Sequence, residues 1–479
     1  MSVVRACAWL MVVGWVSGGV PQACAQDPTG VVAQNTRQET FQFGRFGTVH
    51  MLIPTTRIDQ VTLFAGGDGG WNQGVNDMAQ LLANQGTLVA GIDTVAYLQA
   101  ANQGKDRCIY LAEDFENLAH AVEKRYRLKT YLLPVLSGYS SGATLAYAAL
   151  AQAPLGTFKG ALGLGFCQDI DVTRQVCRGR GLGTAPRAKP PGMFFKPMPD
   201  LAEPLTILQG KTDQACPLPG VQEFARQIPS AKVLALPKVG HGFSVGKRWH
   251  DQYQAAHQQM QRSTVAQALP ADVGDLPLIE VPAPSAKGGN ALAVLLTGDG
   301  GWAGLDRELA AGLANAGIPV AALSSLKYFW SARTAVGAAK DVARIIDHYT
   351  KHWQRQRVLL VGYSFGADVL PAIVNQLDAS TRARVESVAL IGLEPTASFE
   401  IRVSGWLGKS SGAAVLPQLQ GLAATQVPVL CIVGDDEKDS LCRSLNPALA
   451  KVHKLPGGHH YNGDYAALAN AILGFRSAG

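Results

Sequence analysis

Two segments of the chain, Gly138-Tyr139-Ser140-Ser141-Gly142 and Gly362-Tyr363-Ser364-Phe365-Gly366, carry the pattern G-x-S-x-G. Each lies between an apolar run and a helical pattern. That is the setting of a nucleophile elbow, where flanking glycines let the backbone close tightly around a strained serine. A serine hydroxyl is a poor nucleophile without a base, and the base needs an orienting carboxylate. Both serines are followed by an acid and then a histidine. Gly210-Lys211-Thr212-Asp213 and Gly240-His241 follow the first, and Gly434-Asp435-Asp436-Glu437 and Gly458-His459-His460 follow the second. Ser140 to Asp213 and Ser364 to Glu437 share one separation, 73 residues. Both histidine motifs follow a Leu-Pro pair, so the match selects His459 over His460. It favours Glu437 as the acid, with Asp436 and Asp439 as alternatives.

The chemistry predicted is acyl transfer. Ser364, Glu437 and His459 form the main site, and Ser140, Asp213 and His241 are its equivalents in the first half. The loops Gly67-Asp68-Gly69-Gly70-Trp71 and Gly298-Asp299-Gly300-Gly301-Trp302 follow the first central strand of each half. Glycines there expose N–H groups to a developing oxyanion, and the residue after the nucleophile supplies a second donor. The predicted donors are Gly300 or Gly301 with Phe365. Trp71 and Trp302 read as packing residues. Asp368 stands one helical turn beyond Ser364, where the first half has Thr144. Asp368 and Asp299 are candidates for binding substrate, while a helix-start carboxylate or a buried partner for backbone amides is the structural alternative for Asp368. No phosphate-binding loop is completed, because the Walker Lys-Ser/Thr is missing. No Cys-x-x-Cys or His-rich spacing suggests a metal, and no cofactor is expected.

The elements that must hold these residues are those of an α/β protein. Residues 61–64 and 292–296 are apolar runs ending near glycine, predicted as buried strands, as are 318–323, 132–136, 357–361, 205–208 and 427–433. Helices are predicted over 306–316, 143–152 and 367–377. Strand and helix alternate, which implies a mainly parallel sheet flanked by helices. Residues 276–281 mirror 49–53 as a first strand.

The chain is written twice. Aligned without gaps, residues 67–97 and 298–328 are identical at 13 of 31 positions, including Leu82-Ala83-Asn84 against Leu313-Ala314-Asn315. Motif order is the same in both halves, so duplicated domains are expected: two tandem α/β-hydrolase-like units at 26–262 and 276–479, joined by a linker at 263–275.

Of the 479 residues, 47% are hydrophobic and 16% charged, which suits a globular chain and excludes wholesale disorder. The net charge of +6 is spread without a basic run. It is too diffuse for a nucleic-acid footprint but tolerates an anionic membrane surface. Arg5, a mostly apolar stretch over 6–20 and Ala23-Cys24-Ala25 read as a cleavable signal peptide over 1–25, with Gln26 first in the mature chain and no membrane span left after cleavage. Six cysteines would remain, an even number that suggests disulfides in an exported protein. Cys431 and Cys442 are the expected pair of the second half. Cys108, Cys167, Cys177 and Cys216 leave three pairings open.

The runs Thr297-Gly-Asp-Gly-Gly-Trp302, Gly362-Tyr-Ser-Phe-Gly-Ala-Asp368, Gly434-Asp-Asp-Glu-Lys-Asp439 and Leu455-Pro-Gly-Gly-His-His460 resemble the AcvB/VirJ family of bacterial virulence proteins. The second half is similar to its shorter members, and the whole chain to its longer, duplicated ones. The resemblance implies a periplasmic α/β hydrolase that cleaves lysyl-phosphatidylglycerol at the membrane surface into lysine and phosphatidylglycerol. It also implies association with type IV secretion proteins. Two other classes compete with it: a non-catalytic chaperone or binding module on a hydrolase fold, and a general carboxylesterase.

Overall fold

In the central strand Ala291–Leu296 every residue is apolar and buried. Leu292, Val294 and Leu296 enter one core layer, and Ala293 and Leu295 enter the other. A strand buried on both faces needs helices on both sides, which is why it reads as an unbroken apolar run. Gln60–Ala65 plays the same part in the first half. The structure, a computed structural model, describes residues 36–105, 107–262, 271–284, 289–402 and 412–477. The expected signal peptide and residues 263–270 of the expected linker lie outside them.

The first sheet has eight strands. Their spatial order is Thr36–Phe43, Gly47–Pro54, Thr87–Ile92, Gln60–Ala65, Val135–Tyr139, Gly160–Leu164, Leu205–Gly210, Ala231–Leu236. The strands from Thr87–Ile92 onward run parallel, and the first two are antiparallel to their neighbours. The second sheet repeats this order one strand short: Leu278–Val281, Val320–Leu323, Ala291–Leu296, Arg357–Tyr363, Val385–Ile391, Val429–Gly434, Lys451–Leu455. Leu278–Val281 is antiparallel to its neighbour, as Gly47–Pro54 is. In each sheet the elbow serine follows the strand after the crossover, the acid follows the next-to-last strand and the histidine the last. This is the α/β-hydrolase layout.

Three features depart from the sequence reading. The apolar run 132–136 is not one strand, because the strand starts at Val135. Tyr131 and Leu133 are apolar for another reason: they pack into the core of the second half. A small three-stranded sheet, Asp169–Ile170, Gly192–Phe195 and Thr184–Arg187, is inserted into the first half after Gly160–Leu164. Finally, part of the expected linker is packed. Val273 is fully buried, and Arg344 Nη2 donates to the Asp272 carbonyl at 2.7 Å.

The two halves meet along the helix Leu111–Arg125. Lys124 Nζ donates to the Trp330 carbonyl at 2.5 Å, and Trp330 Nε1 donates back to the Leu128 carbonyl at 2.9 Å. Trp330 itself is fully buried. Disulfides join Cys108 to Cys177, Cys167 to Cys216 and Cys431 to Cys442. No helix among the described residues is long and apolar enough to cross a membrane.

Candidate active site

Ser140 and Ser364 are the last residues before the helices Ser141–Gln152 and Phe365–Asn375. Their φ values, 55° and 51°, are in the left-handed region that side chains disfavour. The surrounding packing imposes this strain. A Cβ on Gly366 would fall onto the Leu296 carbonyl, and one on Gly142 onto the Ala65 carbonyl. Glycine at these positions is therefore a steric requirement of the turn.

In the second half, His459 Nδ1 lies 2.5 Å from Glu437 Oε1. The other carboxylate oxygen accepts from Gly434 N–H at 2.6 Å and from the Tyr461 hydroxyl at 3.4 Å. Asp436 and Asp439 are exposed in the same loop and make no hydrogen bond to His459 among the described residues. The Glu437 hydrogen bond and charge hold His459 above its ordinary range, against the pull of burial. Burial pushes Glu437 up, but the hydrogen bonds from His459 and Gly434 outweigh it and leave the carboxyl low. His460 turns elsewhere, with Nδ1 3.3 Å from the Tyr363 hydroxyl. Ser364 Oγ has no hydrogen bond to His459 among the described residues. Such contacts commonly tighten only when substrate is bound.

The first half has its full set in contact. Ser140 Oγ lies 2.9 Å from His241 Nε2, and His241 Nδ1 lies 2.8 Å from Asp213 Oδ2. Asp213 also accepts from Ala215 N–H at 3.0 Å, Cys216 N–H at 2.9 Å and Gln209 Nε2 at 3.0 Å.

One predicted oxyanion donor is withdrawn. Gly301 N–H donates to the Gly298 carbonyl at 3.0 Å, so it closes its own turn and has no proton left for a substrate. Gly70 does the same with Gly67. Gly300 N–H makes no hydrogen bond among the described residues. Phe365 N–H opens its helix and has no intrahelical acceptor. These two remain as donors. Trp71 stacks on His50 and covers Gly91, and Trp302 packs beside the second core, so both are packing residues.

Beside Ser364, a cavity of about 230 Å³ is lined by Asp299, Phe365, Asp368, Glu394, Glu400 and Arg402, among others. Asp368 Oδ1 accepts from Glu394 N–H at 2.8 Å, so it anchors backbone as well as lining the cavity. Burial, helped by the Glu394 charge, pushes its carboxyl up to about 8. Sequence reasoning found Asp299 and Asp368. It missed Glu394 and Glu400, which no motif marks.

Two residues supporting the histidines were also missed. The Tyr139 hydroxyl donates to the His241 carbonyl at 3.0 Å, and Tyr363 donates to the His459 carbonyl at 3.3 Å. The residue just before each elbow serine thus ties the histidine loop to the serine turn. Recurrence of tyrosine in both motifs was the available signal.

The sequence profile of a bacterial virulence protein family, VirJ, matches residues 59–160 and 290–477, well over half of the chain. The chain belongs to the VirJ family. No curated protein matches it. Solved structures similar to it include the esterase domain of a Rhodothermus marinus protein, at 15% identity and TM-score 0.33, covering 47% of this chain and 98% of that one. Est1E from Butyrivibrio proteoclasticus, at 11% identity and TM-score 0.32, covers 47% of this chain and 98% of its own. A dienelactone hydrolase from Anabaena variabilis, at 15% identity and TM-score 0.33, covers 47% and 96%.

Proposed function

We propose that this VirJ-family chain is an exported serine hydrolase whose C-terminal half cleaves the aminoacyl ester of lysyl-phosphatidylglycerol. The observation that carries the reading is the cavity beside Ser364. Four acidic side chains, Asp299, Asp368, Glu394 and Glu400, line it beside one basic one, Arg402, an acidic excess that suits an acyl group bearing ammonium charges. A group with a pKa near 8 in that wall accepts a cation while releasing its proton, so Asp368 is poised to answer a positive charge.

In the reaction, Ser364 Oγ attacks the lysyl carbonyl carbon as His459 takes its proton. Phe365 and Gly300 N–H groups hold the oxyanion. The intermediate collapses, and His459 hands the proton to the departing phosphatidylglycerol oxygen. Water, deprotonated by the same histidine, then attacks the lysyl-Ser364 ester and releases lysine. Glu437 keeps His459 in the correct tautomer and stabilises its charged form. Three disulfides fit an oxidising compartment outside the cytoplasm. There the site reaches the lipid from the surface. A binding module has no use for a histidine held by a charged Glu437.

The test is lysine release from lysyl-phosphatidylglycerol in mixed micelles. Ser364→Ala should lower the rate about 10³-fold or more while thermal unfolding stays unchanged. In a Ser140→Ala background, where only the Ser364 site is read, Asp368→Asn should cost about 1–3 kcal/mol more on the lysyl substrate than on a neutral short-chain ester. A folded Ser364→Ala protein that releases lysine at the wild-type rate would end the proposal. An equal loss on both substrates in Asp368→Asn would reduce that residue to the Glu394 anchor.

A further inference from the structure

We propose that the N-terminal half is a second, independent ester hydrolase, with Ser140 as nucleophile and esters of short, uncharged acyl groups as substrates. It acts at a different site from the one above and does not depend on that site's substrate.

The first argument is assembly. Ser140, His241 and Asp213 are already connected by contacts of 2.9 and 2.8 Å. The Asp213 side chain is fully buried and held by three donors, so the acid and hence the histidine tautomer are locked. Ser140 retains the strained elbow φ of 55°. Such strain persists only where the surroundings enforce it. A half kept solely as packing would not require Ser140, His241 and Asp213 in this order and geometry.

The second argument is an unsatisfied group. Ser141 directly follows the nucleophile, is 4% exposed, and its Oγ has no hydrogen-bond partner among the described residues. Buried hydroxyls in folded proteins are generally paired. An ester oxygen bound at Ser140 would give this one a partner. Phe365 occupies the matching place in the second half and offers no hydroxyl.

The third argument sets the substrate class. Gly165 and Gly392 end matching strands, both with positive φ, and both pack against the site histidine. Counting from them, Glu394 corresponds to Cys167, which is bridged to Cys216. Asp368 corresponds to Thr144, whose hydroxyl donates to the Cys167 carbonyl at 2.7 Å. Two carboxylates of the C-terminal cavity are thus replaced by a neutral hydroxyl and a disulfide already joined to each other. Asp171 lies nearby but is ion-paired with Arg187. Ser140 is 4% exposed while the His241 side chain is 24% exposed, so approach runs past the histidine and is narrow. Asp68 keeps the carboxylate of Asp299, but with two of the other carboxylates gone and the approach narrow, a short neutral acyl group fits these constraints better than a lysyl group.

The reaction balances without a co-reactant other than water. Ser140 Oγ bonds to the carbonyl carbon and His241 Nε2 takes the proton. The ester C–O bond breaks and the alcohol leaves with that proton. Water then cleaves the acyl-Ser140 ester to the carboxylic acid.

The experiment uses the full chain, p-nitrophenyl acetate as substrate and a small fluorophosphonate as label, with adducts mapped by peptide mass spectrometry. The acetyl-ester hydrolysis that remains in the Ser364→Ala protein should depend on Ser140, and Ser140 should carry the adduct in both it and the wild type. Adding Ser140→Ala should then remove about 100-fold or more of the remaining rate. The proposal is overturned if Ser364→Ala hydrolyses the acetyl ester no faster than the double variant and no adduct forms on Ser140 in either protein. Labelling of the unsubstituted chain keeps the test decisive should a variant fold poorly. Lysine release from lysyl-phosphatidylglycerol is read separately, so failure of one site's assignment is distinguishable from failure of the other's.

Discussion

Lys124, on the helix Leu111–Arg125 of the N-terminal half, places its ammonium 3.1 Å from Glu400, a carboxylate lining the cavity beside Ser364. One half therefore neutralises part of the acidic wall of the other. With Lys124→Met, Glu400 is released to meet a cationic substrate. The pair is partly exposed, so the gain is modest: the KM for lysyl-phosphatidylglycerol should fall about 1.5- to 5-fold. A neutral ester, read in a Ser140→Ala background so that only the Ser364 site is measured, should show no change in KM. A shift of the same size on both substrates would mean that Lys124 acts only through the packing at Trp330.

Glu437 should prove to be the acid. Glu437→Gln leaves His459 without its charged partner and should lower kcat about 10²–10⁴-fold. Asp436→Asn and Asp439→Asn should cost less than about threefold, since both residues are exposed and make no hydrogen bond to His459 among the described residues. The pH profile adds a second readout. His459 must be neutral to act as base, and Glu437 holds its pKa above the ordinary range. Activity therefore rises with pH through that raised value. In Glu437→Gln the acid limb should move to lower pH. A limb that stays in place would assign it to another group.

The serine, acid and histidine sets were legible because chain order, spacing and the duplication constrain one another. Asp436, Glu437 and Asp439 are all carboxylates in one loop, and spacing preferred the residue that the structure pairs with His459. The loop donor was only half legible. Gly300 and Gly301 look alike in sequence, and only the turn closed by Gly301 N–H distinguishes them. What could not be read are the contacts made across long separations. Nothing near Lys124 announces Glu400, and the apolar character of Tyr131 and Leu133 serves a core built from the other half of the chain. The cysteine pairs 108–177 and 167–216 are of the same kind, set by which loops the insertion brings together.

Asp306 should make stability depend on pH in a predictable direction. It occupies the place of Val75 in the first half, is 1% exposed, and its Oδ1 has no hydrogen-bond partner among the described residues. Burial pushes its carboxyl up to about 8 against three backbone N–H contacts. The unfolded chain releases that proton near pH 3.9, whereas the folded one keeps it until about 8. Between those values the unfolded state binds fewer protons, so this residue lowers stability as pH rises, by at most about 1.4 kcal/mol per pH unit. Below the unfolded pKa the penalty vanishes, and above the folded pKa it stops growing. Asp306→Asn removes the titration while keeping the shape. Its Tm relative to wild type should therefore increase steadily from pH 5 to pH 8. Other titrating groups, such as His120 and His257, whose pKa values burial lowers to about 4, cancel in that difference. A Tm difference that is the same at pH 5 and pH 8 would show that Asp306 is ionised in the folded protein, with its charge carried by the backbone donors of the Gly298 loop.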